Sequence, residues 1–213
     1  MQNNNFSNFF QINHPIVNHK LSLLRNKDTN CKLFKELVAE LALLIGYEAT
    51  KNLGLKAEVV ETPLEKFDAL VLKNKKVVIV PILRAGLEMV DGILRLLPMA
   101  SVAHVGIFRD EKTLEAKEYY SNIPVNHEDG LFLICDPMLA TGGAASAAIA
   151  KLKERGINNI ILLSLVAAPE GVKKITEQYP DIKIYSASLD RELNSKGYIL
   201  PGLGDAGDRL YGT

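Results

Sequence analysis

The run from Val77 to Ile82 is apolar at every position. An extended segment with two apolar faces has to be covered on both, so it reads as a central strand of a parallel sheet lying between layers of helix. The chain around it keeps that pattern. Ala69 to Leu72 reads as a strand, Leu87, Val90, Ile93, Leu94 and Leu97 recur at helical spacing up to Pro98, and Val102 to Phe108 is again strand-like. Leu131 to Cys135, Ile160 to Ala167 and Ile182 to Ser188 continue the strands, with helices expected over Gly143 to Arg155 and Pro169 to Tyr179. Upstream, Leu33, Phe34, Leu37, Val38, Leu41, Leu44 and Ile45 mark an amphipathic helix from Lys32 to Leu53, with Asp28 or Thr29 as its cap and Gly54 as its stop. Strands separated by helices need crossover connections, so the expected fold is α/β, a doubly wound, mainly parallel sheet flanked by helices. At 213 residues and 47% hydrophobic content, one domain over residues 1–213 is the natural arrangement.

Charge narrows the range of partners. Lysine plus arginine and aspartate plus glutamate are 25 each, which offers neither nucleic acid nor an anionic membrane a one-signed surface. Small molecules are the expected ligands. Met1 to Phe10 lacks the basic start and apolar core of a secretory signal, and the apolar runs are too short for a membrane span, so a cytoplasmic enzyme is expected. Cys31 and Cys135 fit no ligand spacing and read as reduced, buried, structural thiols. His14, His19, His104 and His127 form no metal set with an acid or cysteine cluster.

In a doubly wound sheet ligands collect where strands end and helices begin. There the strand Leu131 to Cys135 meets Asp136, and Pro137, Met138, Leu139, Ala140, Thr141, Gly142, Gly143 and Ala144 lead into the next helix. The two glycines let backbone approach a ligand, and a helix start offers free N–H groups to a phosphate. Taken alone the turn is better explained as a strand-to-helix turn with a capping aspartate. Two further stretches stand outside the alternation. One is Arg109 to Gly130, polar and charged, with only Leu114, Tyr119, Tyr120 and Ile123 as apolar anchors; the other is the glycine-rich tail Gly197 to Thr213. Long loops of this kind often serve as lids or binding segments.

The stretch Asp136-Pro-Met-Leu-Ala-Thr-Gly-Gly resembles the phosphoribosyl diphosphate loop of the type I phosphoribosyltransferases, in the form used by the uracil branch. Val80-Pro-Ile-Leu-Arg84-Ala-Gly86-Leu, Arg109, Leu165-Val-Ala-Ala-Pro-Glu-Gly171 and Gly197-Tyr-Ile-Leu-Pro-Gly-Leu-Gly-Asp205-Ala-Gly-Asp208-Arg are similar to the remaining signatures, in the same order. His14-Pro-Ile-Val-Asn-His19-Lys-Leu and Tyr47-Glu-Ala-Thr50 resemble its opening, so the likeness runs from about Ile12 to the end. The resemblance implies transfer of a phosphoribosyl group from 5-phosphoribosyl 1-diphosphate to uracil, giving UMP and diphosphate with Mg²⁺. It also implies a homodimer or larger assembly, and in some members activation by GTP.

The resemblance gives Arg84 and Arg109 to the diphosphate, and Asp136 to the ribose hydroxyls; together these are the catalytic candidates. A leaving diphosphate needs cations, and an oxocarbenium-like sugar needs an anion close by, so the residue types suit the chemistry. The resemblance gives the loop Asp136 to Ala144 to the 5′-phosphate. Ile199, Gly204, Asp205 and Ala206 match the uracil-contacting segment, where backbone N–H and C=O groups answer the acceptor–donor–acceptor edge of the base. Asp205 is also placed toward the phosphoribosyl diphosphate, with Mg²⁺ carried by the diphosphate rather than by a side-chain cage. Departures from the pattern are Pro137 where many relatives carry a second acid, Ala144 where a hydroxyl residue is usual, and Ala116 and Lys117 in the lid.

Two other classes of function make distinguishable demands. A regulator that keeps this fold to sense nucleotides while binding RNA would show a basic stripe, and the balanced charge offers none. A dinucleotide-binding oxidoreductase would need Gly-x-Gly-x-x-Gly after its first strand and an acid about 20 residues on, and neither is visible.

Overall fold

The computed structural model describes residues 2–3, 6–73, 76–109, 116–122 and 129–213. In chain order its elements begin with β1 (Gln2–Asn3), β2 (Phe6–Gln11), α1 (Pro15–Arg25), α2 (Cys31–Ala49), β3 (Leu55–Glu61), β4 (Lys66–Leu72), β5 (Val77–Leu83) and α3 (Leu87–Leu96). They continue with β6 (Ser101–Val102), β7 (His104–Arg109), β8 (Ala116–Asn122), β9 (Leu131–Cys135), β10 (Met138–Leu139), α4 (Gly143–Glu154) and β11 (Ile160–Ala167). The last are α5 (Pro169–Gln178), β12 (Lys183–Leu189), β13 (Glu192–Leu193), β14 (Ile199–Leu200) and α6 (Ala206–Tyr211).

The main sheet has the order β1-β2-β12-β11-β9-β5-β7-β8, with β6 beside β5 and β10 beside β11. Its pairings are parallel except at the two edges, β1 with β2 and β7 with β8. Alternation along the strands divides the core into two layers. Val77, Ile79, Leu131, Leu133, Leu163 and Leu165 pack with α1, α2, α3 and α6 on one face, while Val78, Val80, Phe132, Ile134 and Leu162 pack with α4 and α5 on the other. The doubly wound arrangement expected from the apolar strands is therefore present.

Several local expectations are corrected. The cap of α2 is Asn30, whose side chain accepts from the Leu33 N–H over 3.0 Å, and the helix stops at Ala49. The strand containing Ala69 to Leu72 does not join the sheet; β4 pairs antiparallel with β3 as a separate hairpin. Part of the stretch expected to be a loop, Ala116 to Asn122, pairs with β7 and extends the sheet edge through its backbone. Cys135 is buried as expected, whereas Cys31 is exposed and its thiol donates to the Leu210 carbonyl. At the start of α2, outside both core layers, a side chain need not be covered. Among the described residues no helix is long and apolar enough to cross a membrane.

Candidate active site at the carboxyl ends of the strands

β9 runs directly into Asp136, whose N–H donates to the Leu163 carbonyl over 3.0 Å. The loop that follows is pinned along β11. Pro137 accepts from the N–H groups of Leu165 and Val166 at 3.1 Å each, β10 pairs in parallel with Val166 and Ala167, and the Leu139 carbonyl accepts from Ala168. Gly171, in the first turn of α5, completes the rail: a Cβ there would stand 2.4 Å from the Ala140 carbonyl oxygen. Only glycine allows the loop and the helix this approach. Gly142, at φ 74°, then turns the chain into α4, and exposed Thr141 accepts from the Gly143 N–H over 3.4 Å.

Asp136 is half-buried, and its Oδ1 accepts from the Met138 N–H at 3.3 Å. Burial pushes its carboxyl up to about 7, against the opposing pull of that hydrogen bond. The carboxylate therefore has acceptor capacity left for ligand hydroxyl groups, which would favour its charged form.

Arg84 follows β5 through a cis Leu83–Arg84 peptide and is exposed. Its turn is driven against the end of β9, since a Cβ on Gly86 would lie 2.4 Å from the Cys135 carbonyl oxygen and 2.7 Å from both backbone polar atoms of Ile82. Glycine at position 86 thus joins the Arg84 turn to the residue before Asp136. On its other side the turn meets the tail. A Cβ on Gly207 would be 3.6 Å from Arg84 Nη2 and 3.2 Å from Asp205 Oδ1, so cation and carboxylate flank one glycine. Asp205 also caps α6, accepting from the Asp208 N–H over 3.0 Å.

The base-binding candidates divide by exposure. Ile199 and Ala206 are buried, so their side chains belong to the core and what they offer a ligand is main chain. Gly204 is exposed with φ 80°. Arg109 ends β7 by its backbone, and its side chain, with residues 110–115 and 123–128 of the expected lid, including Leu114, Ile123 and His127, lies outside the described residues. Two contributors were not singled out in the sequence. Tyr211 touches Arg84 through both its ring and its hydroxyl, and Gly171, although part of a quoted motif, had no assigned job. A cleft of about 590 Å³, lined in part by Lys73, Lys76, Asp129 and Lys183, opens at the opposite ends of the strands and shares none of these residues.

A carboxylate after β9, an arginine turn after β5 and a glycine turn into α4 beside β11 line the carboxyl ends of parallel strands, where open α/β sheets take their ligands, and the class to which the chain belongs is the phosphoribosyltransferase. The comparisons narrow it. The family model described as uracil phosphoribosyltransferase matches residues 11–213. The chain is 53% identical to the uracil phosphoribosyltransferase of Clostridium botulinum (strain Eklund 17B) over 97% of this chain and 99% of that one. It is 55% identical to that of Thermosipho africanus over 95% and 97%. The solved AQ2163 protein from Aquifex aeolicus superimposes with a TM-score of 0.90 at 39% identity, covering 95% of this chain and 97% of that one. This chain belongs to the uracil phosphoribosyltransferase family.

Proposed function

We propose that the chain transfers the 5-phosphoribosyl group of phosphoribosyl diphosphate to N1 of uracil, releasing diphosphate and forming UMP. The observation that carries this reading is a pair of glycines: Gly86 seats the Arg84 turn against the carbonyl of Cys135, the residue before Asp136, and Gly207 lies between the Arg84 and Asp205 side chains. Arg84 takes up charge on the departing diphosphate. Asp136 accepts from the ribose hydroxyls and lies near the positive charge that grows on the sugar as the C1′–O bond to diphosphate breaks before the C1′–N1 bond forms, the N1 proton of uracil passing to solvent. The α4 start and the loop before it hold the 5′-phosphate. Main chain at Ile199 and Gly204 to Ala206 reads the edge of uracil; cytosine would leave a buried group unpaired at a cost of about 1–3 kcal/mol.

Magnesium fits this site as a companion of the substrate. Among the described residues no group of three His, Cys, Asp or Glu could cage a metal, whereas Asp136 keeps free acceptor capacity and Asp205 engages one oxygen in its cap. One or two carboxylates plus substrate oxygens is the arrangement Mg²⁺ favours. Asp136 and Asp205 would hold it, through water or ribose oxygens, and when bound it neutralises diphosphate charge. Assembly into a dimer or larger unit also belongs to this reading, supported by the β3–β4 hairpin. It exposes Leu55, Val59 and Leu70 on one face and Phe67 on the other, and an isolated two-stranded hairpin is marginal in water.

The test is UMP formation from uracil and phosphoribosyl diphosphate with Mg²⁺, beside cytosine, hypoxanthine and orotate. Product from uracil alone, lost in Arg84→Ala and Asp136→Asn, is the expected result. No product from any base by a folded protein would refute the reading and leave a nucleotide-sensing role in its place.

A further inference from the structure

The segment Pro201 to Leu203, which links Ile199 to Gly204–Ala206 and so sets the main-chain groups offered to the base, is held by side chains from distant parts of the chain. Asp190 follows β12 and is 6% exposed. Its Oδ1 accepts from Arg25 Nη2 at 2.5 Å and from Ser188 Oγ at 2.7 Å; its Oδ2 accepts from Arg25 Nη1 at 2.7 Å and from the Gly202 N–H at 2.9 Å. Arg25 Nη1 also donates to the Gly202 carbonyl at 2.6 Å. Both backbone polar atoms of one glycine are thus gripped by the two members of a forked ion pair.

Neither end of this clamp is loose. The Asp190 N–H donates to the Ala167 carbonyl of β11, and Arg25 is the last residue of α1, whose Val17, Leu21 and Leu24 are buried in the core. Burial alone would raise the Asp190 carboxyl, but the hydrogen bonds from Arg25 and Ser188, with the Arg25 charge, hold it below the usual carboxylate range. Gly202 is at φ 61°, and a Cβ there would stand 2.2 Å from the Ile199 carbonyl oxygen, so the turn itself admits only glycine. Next along the chain, Arg209 Nη1 donates to the carbonyls of Leu203 and Leu24 at 2.8 Å each, tying the same segment to the end of α1 a second time.

We propose that Arg25 and Asp190 are positioning residues for base recognition, fixing the Gly202 backbone so that the donors and acceptors of Ile199 and Gly204 to Ala206 are set for one nucleobase edge. They touch no reacting atom; they act through the turn. This inference rests on the uracil-transfer reading for its substrate, but the clamp itself has a readout that does not. The opening motif His14 to Leu21 thereby gains a task, since it builds the helix that delivers Arg25.

The experiment uses the full chain with Asp190→Asn, Arg25→Lys and Ser188→Ala, each checked for folding by circular dichroism. Asparagine keeps the shape but replaces one acceptor oxygen with a donor, and lysine keeps the charge but loses the fork. Expected is a rise of about tenfold in KM for uracil in Asp190→Asn and Arg25→Lys, with kcat and KM for phosphoribosyl diphosphate within about twofold, and a smaller rise in Ser188→Ala. The preference for uracil over cytosine should fall in parallel. In the ligand-free protein, amide exchange in residues 197–206 should quicken while β9 and β11 stay protected. Unchanged exchange there, or kcat and both KM values moving together, overturns the proposal. If Asp190→Asn does not fold, Arg25→Lys and Ser188→Ala decide it on the same readouts. Wild-type protein inactive with uracil would sink the transfer reading, while exchange would still judge the clamp.

Discussion

The hydroxyl of Tyr211 donates to the backbone carbonyl of Arg84 over 3.1 Å, and the Arg84 guanidinium stands 5.7 Å from the centre of the same ring. Lys35 Nζ approaches that ring at 5.7 Å as well. Burial and the charge of Glu88 raise the Tyr211 hydroxyl above its ordinary range against the opposing effect of Arg84, so it remains a donor at neutral pH. One tyrosine near the end of the chain therefore references both the backbone and the charge of the arginine assigned to the diphosphate.

Tyr211→Phe removes one hydrogen bond, and Tyr211→Ala removes the ring as well. About 1 kcal/mol for the bond corresponds to a rise of roughly fivefold in KM for phosphoribosyl diphosphate in the Phe variant, and the Ala variant should lose more. KM for uracil should hold. Steady-state kinetics with each substrate varied in turn checks this; equal KM values in all three proteins would reduce Tyr211 to packing.

Gly171→Ala should disable the loop without unfolding the protein. The added Cβ meets backbone oxygen at 2.4 Å, which no rotamer change relieves, so the Asp136 to Ala144 loop must shift. A displacement of about 1 Å can cost on the order of 100-fold in kcat/KM. Gly156→Ala is the control. It has φ 79° and nothing within 4 Å, so it costs roughly 1 kcal/mol of stability and should leave kcat/KM alone. Similar kinetics for the two variants would mean that the rail does not position the loop.

What was legible in the sequence follows physical lines. Leu131 to Cys135 and Ile160 to Ala167 match their strands residue for residue, because strands buried on both faces are nearly all apolar, with Ser164 satisfied by the Val166 carbonyl, and their ends are marked by charge or turn chemistry. Asp136, Arg84 and Asp205 were legible through motif order; the structure brings Arg84 and Asp205 to either side of Gly207 and the Arg84 turn against Cys135, next to Asp136. β2 was missed because a strand written Phe-Ser-Asn-Phe-Phe-Gln, next to the sheet edge, carries no two-faced signal. α1 was missed because its apolar stripe is short. The β3–β4 hairpin misled for the opposite reason: Ala69 to Leu72 looks like core and lies exposed or half-buried. Asp190 gave no local sign, since its importance depends on Arg25, 165 positions away.

That hairpin gives a prediction about assembly. Leu55, Val59 and Leu70 are 54%, 66% and 71% exposed on one face of it, too much apolar surface for a segment with no third strand. If a second copy covers it, Val59→Glu with Leu70→Glu should move the protein from dimer or larger to monomer in sedimentation velocity. Arg84 and Asp136 follow the carboxyl ends of β5 and β9, whereas the hairpin leads into the amino end of β5, so the site should fold as before. A wild-type monomer at micromolar concentration, or an unchanged assembly in the double variant, would rule this contact out.

The raised carboxyl of Asp136 makes both stability and binding depend on pH, in opposite senses. In the unfolded chain the group titrates near 3.8, in the ligand-free fold at about 7. Between those values the folded protein keeps a proton that the unfolded chain has lost, so stability from this group is present below pH 3.8 and drains away as pH rises through 7. Above that the fold carries a partly buried carboxylate, at a cost of roughly 4 kcal/mol that water at the mouth of the site reduces. Asp136→Asn has no such proton to lose. Its melting temperature, measured against that of the wild type with no ligand present, should gain most at pH 8, gain less at pH 5 and gain nothing further below about pH 3.8. Ribose hydroxyls bonding to the carboxylate favour its charged form, so phosphoribosyl diphosphate should bind more tightly as pH rises toward 7 and release a proton on binding below it. Calorimetry in buffers of different ionisation enthalpy measures that proton. A melting difference that stays constant from pH 5 to 8, with no proton released, would place the Asp136 carboxyl in the ordinary range and remove it as the source of any pH dependence.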